Sequence, residues 1–384
     1  MRDVPHTPWQ RLAAIVLFAA ITPTILMTAP AVAAQLAVQW QLSPSQIGDV
    51  FSVELGAMSL ATLPAIVWLP RVNWRVAALV AAVLFIAANL LSMLADTYTH
   101  LLVLRFASAL AGGSLMIICL ASAALTANPS RVYGLWVMGQ LVVGAVGLAV
   151  LPTLFERFGV QACYLILAGL MTLLLPLARR FPCASPAAQA EGMALAPRLR
   201  WKAVLGIGAV LAFYISLGGV WTFIGAVGAD AGIAAPLSGE VLAAATLMGI
   251  VGAACASLFG ARLPRRHLLW AAYALMAGAV LLLLGQPTLV RFALAALLFK
   301  FTWTFILPLI LACLADLDHS GKLMNASNLV IGGGLAIGPA IAGRLIETSG
   351  GYAELLVGGA VLTLLSLAMI LASRPTPAVE GPPV

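Results

Sequence analysis

The stretch from Leu101 to Leu125, LLVLRFASALAGGSLMIICLASAAL, carries a single charge, Arg105. A run of that length and polarity is what a helix needs to cross a hydrocarbon core of about 30 Å. Eleven more runs of similar kind cover 12–36, 46–68, 75–95, 133–155, 160–178, 203–227, 238–260, 268–285, 290–314, 322–345 and 353–373. In lipid each span must satisfy its own backbone, which makes runs of this length helices. Composition agrees, with 62% hydrophobic residues, 9% charged residues and a mean hydropathy of +1.07. The sequence therefore predicts an all-α polytopic membrane protein and excludes a soluble globular domain. Ser43-Pro44-Ser45-Gln46 reads as a capping box with proline in the first helical position, opening the second span.

The basic residues fall in alternate gaps. One side takes Arg2, Arg11, Arg71, Arg75, Arg131, Arg179, Arg180, Arg198, Arg200, Lys202, Arg262, Arg265, Arg266, Lys322 and Arg374. The other takes Arg157, Arg291 and Arg344, while Arg105 and Lys300 lie within spans. The positive-inside rule puts the basic side, and with it both termini, in the cytoplasm. The net charge of +7 is then membrane topology, and no basic soluble face is left for a nucleic acid. The basic N-terminus runs into a full-length span without a cleavage site. Cys119, Cys163, Cys183, Cys255 and Cys313 are scattered, which points to neither a disulfide nor a metal. Glycine clusters sit inside apolar spans without a following Gly-Lys-Ser/Thr, so no nucleotide-binding loop is expected.

The chain repeats itself. Leu69-Pro70-Arg71 recurs as Leu263-Pro264-Arg265, Arg105 of the fourth span is matched with Lys300 of the tenth, and Gly159, Thr172 and Leu174 recur as Gly350, Thr363 and Leu365. This divides the chain into a six-helix half at 1–178, a basic cytoplasmic connection at 179–202, a second half at 203–374 and a tail at 375–384. Two parallel halves of this kind are a transporter architecture.

Particular motifs then carry a resemblance. Leu69-Pro70-Arg71-Val72-Asn73-Trp74-Arg75 and Gly260-Ala261-Arg262-Leu263-Pro264-Arg265-Arg266 resemble the basic signature between paired spans of the major facilitator superfamily. Arg105 followed by Gly112 and Gly113 is similar to its fourth-span pattern. Gly332-Gly333-Gly334-Leu335-Ala336-Ile337-Gly338-Pro339 is similar to its glycine-rich run ending in Gly-Pro. The resemblance covers essentially the whole chain. It implies two pseudo-symmetric six-helix bundles that alternate access to a central cavity, lined by the first, fourth, seventh and tenth spans. It also implies conformational or packing roles for Arg71, Arg75, Arg265, Arg266, Gly112, Gly144, Gly147, Gly338 and Pro339.

Charges at membrane depth cost at least about 2.5–3.5 kcal/mol each and usually face a cavity or a partner. Lys300 lies near the midplane among Phe299, Phe301, Trp303 and Phe305, and reads as a cation for an anionic substrate or as a structural ion pair. Arg105 reads as a substrate or coupling residue, or as a cap on backbone carbonyls. Glu54 lies at a similar depth to Arg105. Desolvation there favours its neutral form and a pair with Arg105 its carboxylate, so it is the candidate proton-coupling site, with Asp49 second. Gln140, Tyr214, Trp221, Trp303, Asn325 and Asn328 are further candidates for substrate contacts, or packing and interfacial residues.

Together these features predict a proton-coupled secondary transporter for a small organic anion or zwitterion, a monomer in a bacterial inner membrane, with no cofactor and no enzymatic activity. Its partners are the small-molecule substrate, protons and the lipid bilayer. One alternative is a proton-coupled multidrug efflux antiporter using Glu54. Another is a membrane enzyme acting on lipid-linked substrates through Asp316, Asp318 and His319, a trio that reads more simply as a polar loop.

Overall fold

The structure is a computed structural model that describes residues 9–183, 201–260, 262–317 and 322–373, except for the side chains of 322, 324 and 325. Most of the predicted connection at 179–202 and the tail at 375–384 lie outside the described residues. So do Asp318, His319 and the side chains of Lys322 and Asn325.

Every element described is helical. The first half runs through α1 (Trp9–Ile21), α2 (Thr24–Met27), α3 (Ala29–Gln39), α4 (Pro44–Leu60), α5 (Thr62–Trp68), α6 (Trp74–Ser92), α7 (Tyr98–Ala124), α8 (Pro129–Phe158) and α9 (Gln161–Leu174). The second half holds α10 (Trp201–Asp230), α11 (Ala235–Gly260), α12 (Arg265–Leu281), α13 (Leu289–Ala315), α14 (Lys322–Ser349) and α15 (Ala353–Ser373). Ten segments among the described residues are long and apolar enough to cross a membrane. The predicted capping box at Ser43 is formed, with the Ser43 side chain accepting from the Gln46 N–H and Gln46 accepting from the Ser43 N–H.

The two other predicted spans differ from the expectation of uniform helices. The ninth is α12, which is short and opens on Arg265 and Arg266. The first, expected as one run over 12–36, is broken into α1, α2 and α3. Proline explains the breaks, because it has no N–H to give to the carbonyl four residues back. Pro23 leaves the Ala19 carbonyl without its helical donor, and Pro30 does the same to Leu26. Threonine hydroxyls add local bonds at the breaks: Thr24 donates to the Ile21 carbonyl (2.7 Å), and Thr28 to the Thr24 carbonyl (2.8 Å), which also takes the Thr28 N–H. The Ala19 and Leu26 carbonyls are taken by side chains of other helices.

The internal repeat has a single register in three dimensions. Gln41 and Gly232 both take left-handed backbone (φ 52° and 76°), as do Gly159 and Gly350 (φ 64° and 70°). Thr97 and Thr288 both cap helix N-termini. Each pair is separated by 191 residues. In that register Arg105 corresponds to Ala296, Lys300 to Ala109 and Arg71 to Arg262, which corrects the sequence pairings of Arg105 with Lys300 and of Leu69-Pro70-Arg71 with Leu263-Pro264-Arg265. Lys300 lies one helical turn further from its cap.

The halves meet through α4 against α14, α8 against α11 and α3 against α10. The contacts gather on the side away from the basic gaps, here called the far side. They depend on glycine: a Cβ at Gly48 would strike the Pro339 carbonyl, and one at Gly239 the Leu148 carbonyl. These two contacts are again 191 residues apart at both ends, so one joint is built twice. Gly343 lies in the same way on the Pro44 carbonyl and Gly225 on the Pro30 carbonyl. Close backbone approach through small residues is how membrane helices gain packing energy without a hydrophobic drive.

Candidate functional site

Two buried cations lie at different levels of the molecule. Arg105 of α7 is 1% exposed and is surrounded by residues of its own half. One of its terminal nitrogens donates to Asn89 Oδ1 (3.1 Å) and to Ser92 Oγ (2.8 Å), both on α6. Asn89 is itself held, donating to the Phe85 carbonyl (2.8 Å) and to Ser108 Oγ (2.9 Å). The guanidinium carbon lies 4.3 Å from the centre of the Tyr164 ring of α9. The other terminal nitrogen, Nη1, is 3.7 Å from Glu54 Oε1 of α4, an ion pair without a hydrogen bond. The predicted meeting of Glu54 and Arg105 is thus present, with three polar or aromatic partners that the sequence reading did not name.

Lys300 of α13 is 2% exposed and has a different environment. Its ammonium lies 3.6 Å from the centre of the Trp221 ring of α10 and 4.3 Å from that of Trp303. Among the described residues no carboxylate comes within ion-pair distance of it. Trp221 stacks with Phe299 (interplanar angle 7°) and meets Trp303 edge to face (81°). Tyr214 is buried beside them within reach of the Trp303 indole. Four predicted substrate residues, Lys300, Trp221, Trp303 and Tyr214, therefore gather in one aromatic box, in which Trp221 and Trp303 face the ammonium and Tyr214 lies behind Trp303. Facing rings stabilise such a cation by roughly 0.5–2 kcal/mol each, less than an ion leaves behind in water.

The remaining candidates fall elsewhere. Gln140 of α8 donates to the Ala19 carbonyl (3.0 Å), taking the place of the N–H that Pro23 lacks. Asp49 is not beside Glu54 on its helix. It accepts from both terminal nitrogens of Arg344 of α14 (2.8 and 3.4 Å), across the two halves on the far side. Glu347 adds to this contact, accepting from the Ser43 hydroxyl (3.0 Å) and the Ser45 N–H (3.1 Å) at the start of α4. Asn328 is exposed.

Arg75 donates to the Phe181 carbonyl (2.7 Å), while Arg71 and Arg266 are exposed. Arg265 pairs with Asp316 (2.5 Å), which ties the start of α12 to the end of α13 and engages one acid of the alternative enzyme trio. No cluster of metal ligands occurs among the described residues. Gly144 and Gly147 lie against Met27 and Thr28, Gly112 against Phe85, and Gly338 against Ile215 and Gly219. The sequence reading missed Asn89, Ser92 and Tyr164 around Arg105, and the far-side glycines Gly48, Gly225, Gly239 and Gly343. Asn89 and Ser92, three apart in an otherwise apolar span, were a usable signal, because that spacing puts both on one helix face.

A sequence profile described as the Major Facilitator Superfamily matches residues 12–317. The chain belongs to this superfamily. Solved structures agree on the fold. A mutant of the nucleoside transporter NupG has a TM-score of 0.77 at 12% identity, with 95% of this chain and 98% of that one covered. A bacterial homolog to human lysosomal transporter Spinster, in an inward-facing and unoccupied conformation, has a TM-score of 0.71 at 16% identity, with 97% and 99% covered. The same homolog in an inward-facing and occupied conformation has a TM-score of 0.67 at 18% identity, with 96% and 98% covered. Identities this low speak to fold alone. As a superfamily member, the protein is a multi-pass membrane transporter of the secondary type, built to bind small-molecule substrates.

Proposed function

We propose that the protein moves a small organic anion or zwitterion across a bacterial inner membrane, with its termini in the cytoplasm. Residues 1–178 rock against 203–374, and proton movement at Glu54 drives the cycle. The observation that supports this most directly is the Lys300 ammonium, desolvated among rings with no carboxylate beside it among the described residues. A cation in that position gains most from an incoming anion. Glu54 supports the coupling half, since its partner Arg105 is fixed by α6 and the pair stops short of a hydrogen bond. Protonation of Glu54 would loosen α4 from α7, and α4 is the helix that carries Asp49, Ser43 and Ser45 to the far-side contacts.

The test is proton flux in proteoliposomes while a panel of organic anions is added, with wild type beside Lys300→Ala, Lys300→Arg and Glu54→Gln. Transport at sub-saturating anion lost in Lys300→Ala and kept in Lys300→Arg is the expected result, with flux uncoupled from protons in Glu54→Gln. Normal transport by Lys300→Ala would sink the anion reading. The aromatic box also favours a second reading, efflux of apolar drugs. Drug resistance of cells expressing the protein, unchanged by Lys300→Ala, would move the conclusion there.

A further inference from the structure

We propose that Trp221 is a positioning residue that ties the Lys300 site to closure of the far side, a step that rests on Lys300 being the anion site. The indole is engaged on two sides at once. Its face carries the Lys300 ammonium at 3.6 Å. Its edge donates from Nε1 to the Leu26 carbonyl at 2.9 Å, across the boundary between the halves.

That carbonyl is available for a reason written in the sequence. Residue 30 is proline, so the helical N–H that should reach Leu26 does not exist. Gly225, one turn beyond Trp221 on α10, has no side chain, and so α10 lies directly on the Pro30 backbone. One proline thus frees the acceptor, and one glycine four residues past the donor lets the two helices come close enough to use it. The contact is partly buried, where a carbonyl short of a donor is costly, so the bond favours the closed form.

An anion that takes the ammonium from the ring face removes what holds the indole flat against Lys300. The indole's edge is then free to leave Leu26, and occupancy of the site is felt at the joint between α3 and α10. Trp221 has this position because it belongs to the second half while its acceptor belongs to the first.

The experiment needs no substrate. Spin labels at Val38→Cys on α3 and Val290→Cys on α13, both well exposed on the far side (72% and 75%), report the separation of the halves. The exposed Cys183 is replaced by Ser. Trp221→Phe keeps a ring for Lys300 and removes the N–H. It is expected to raise the ratio of open to closed distances about 2- to 10-fold, the equivalent of one hydrogen bond. Pro30→Ala attacks the same bond from the other half by giving Leu26 an in-helix donor, and is expected to shift the ratio in the same direction. The double variant should do no more than the larger single one, because both remove a single bond. Effects that multiply would overturn the edge contact as the joint. A second cycle pairs Trp221→Phe with Lys300→Met. Coupling of threefold or more, of either sign, is expected, whereas independent effects would overturn the link between site and joint.

The inference and the anion reading fail separately. An unchanged distance distribution in Trp221→Phe discards the joint whatever Lys300 binds. Anion transport that ignores Lys300→Ala discards the anion site while the Leu26 contact stands.

Discussion

Arg105 and Lys300 are both single cations, almost fully buried, on helices that the internal repeat makes equivalent, yet their surroundings are opposites. Arg105 has hydrogen-bond acceptors on α6, an acid on α4 and a ring on α9, all within its own half. Among the described residues Lys300 has rings only, and one of those rings reaches into the other half. A charge with its needs met inside one bundle moves with that bundle as a rigid part. A charge left without an anion at the boundary between bundles is where a ligand can change the balance. Burial alone does not separate these cases, since both residues are equally inaccessible. The chemistry of the neighbours does.

The largest effect expected from this contrast is on stability. Arg105→Ala would leave Glu54 buried without its cation and Asn89 without its donor. Breaking a buried pair costs about 3–5 kcal/mol. Thermal unfolding in detergent should show this, with partial recovery when Glu54→Gln is added. Lys300→Met should be neutral or stabilising, because it removes a desolvated charge that has no carboxylate beside it among the described residues. A drop in stability for Lys300→Met as large as that for Arg105→Ala would erase the distinction.

Transport should show the reverse order. Lys300→Ala is expected to raise KM for the anion about 10- to 100-fold, the range set by losing one charge-assisted hydrogen bond of roughly 1.5–3 kcal/mol. Lys300→Arg should recover most of it. Asn89→Ala comes next, with about 1–3 kcal/mol lost from the fold as Arg105 loses a partner and little change in KM. A KM defect in Asn89→Ala matching that of Lys300→Ala would place Arg105 in the binding site after all.

The spans, the two halves and the two deep cations were legible because lipid permits few solutions. Apolar length and the placement of arginine and lysine leave little room for other folds. The breaks in the first span were present as Pro23 and Pro30, but their meaning was not. A proline announces a missing N–H without naming the donor that replaces it, and here the donors are Gln140 and Trp221, more than a hundred residues away. The far-side glycines were hidden by number. With 35 glycines in the chain, Gly48 and Gly239 cannot be told from lipid-facing ones until their helices are packed. Asn89 and Ser92 were readable as a polar face on an apolar helix, and only the depth of Arg105 on its neighbour gives that face a purpose.

Asp49 gives the smallest effect and the finest test of the comparison. The sequence made it the second candidate for proton coupling, five residues from Glu54 on one helix. In three dimensions it pairs with Arg344 of the other half, and both side chains are partly exposed. Pairs of this exposure contribute about 0.2–1 kcal/mol and are screened by salt. Asp49→Asn should therefore leave proton coupling intact and shift the labelled far-side distances modestly toward the open form, with the shift shrinking as ionic strength rises. A salt-independent loss of coupling in Asp49→Asn would move the proton site from the interior of the first half to the interface. The division between a fixed cation inside one bundle and a responsive one at the boundary would then have to be redrawn around α4.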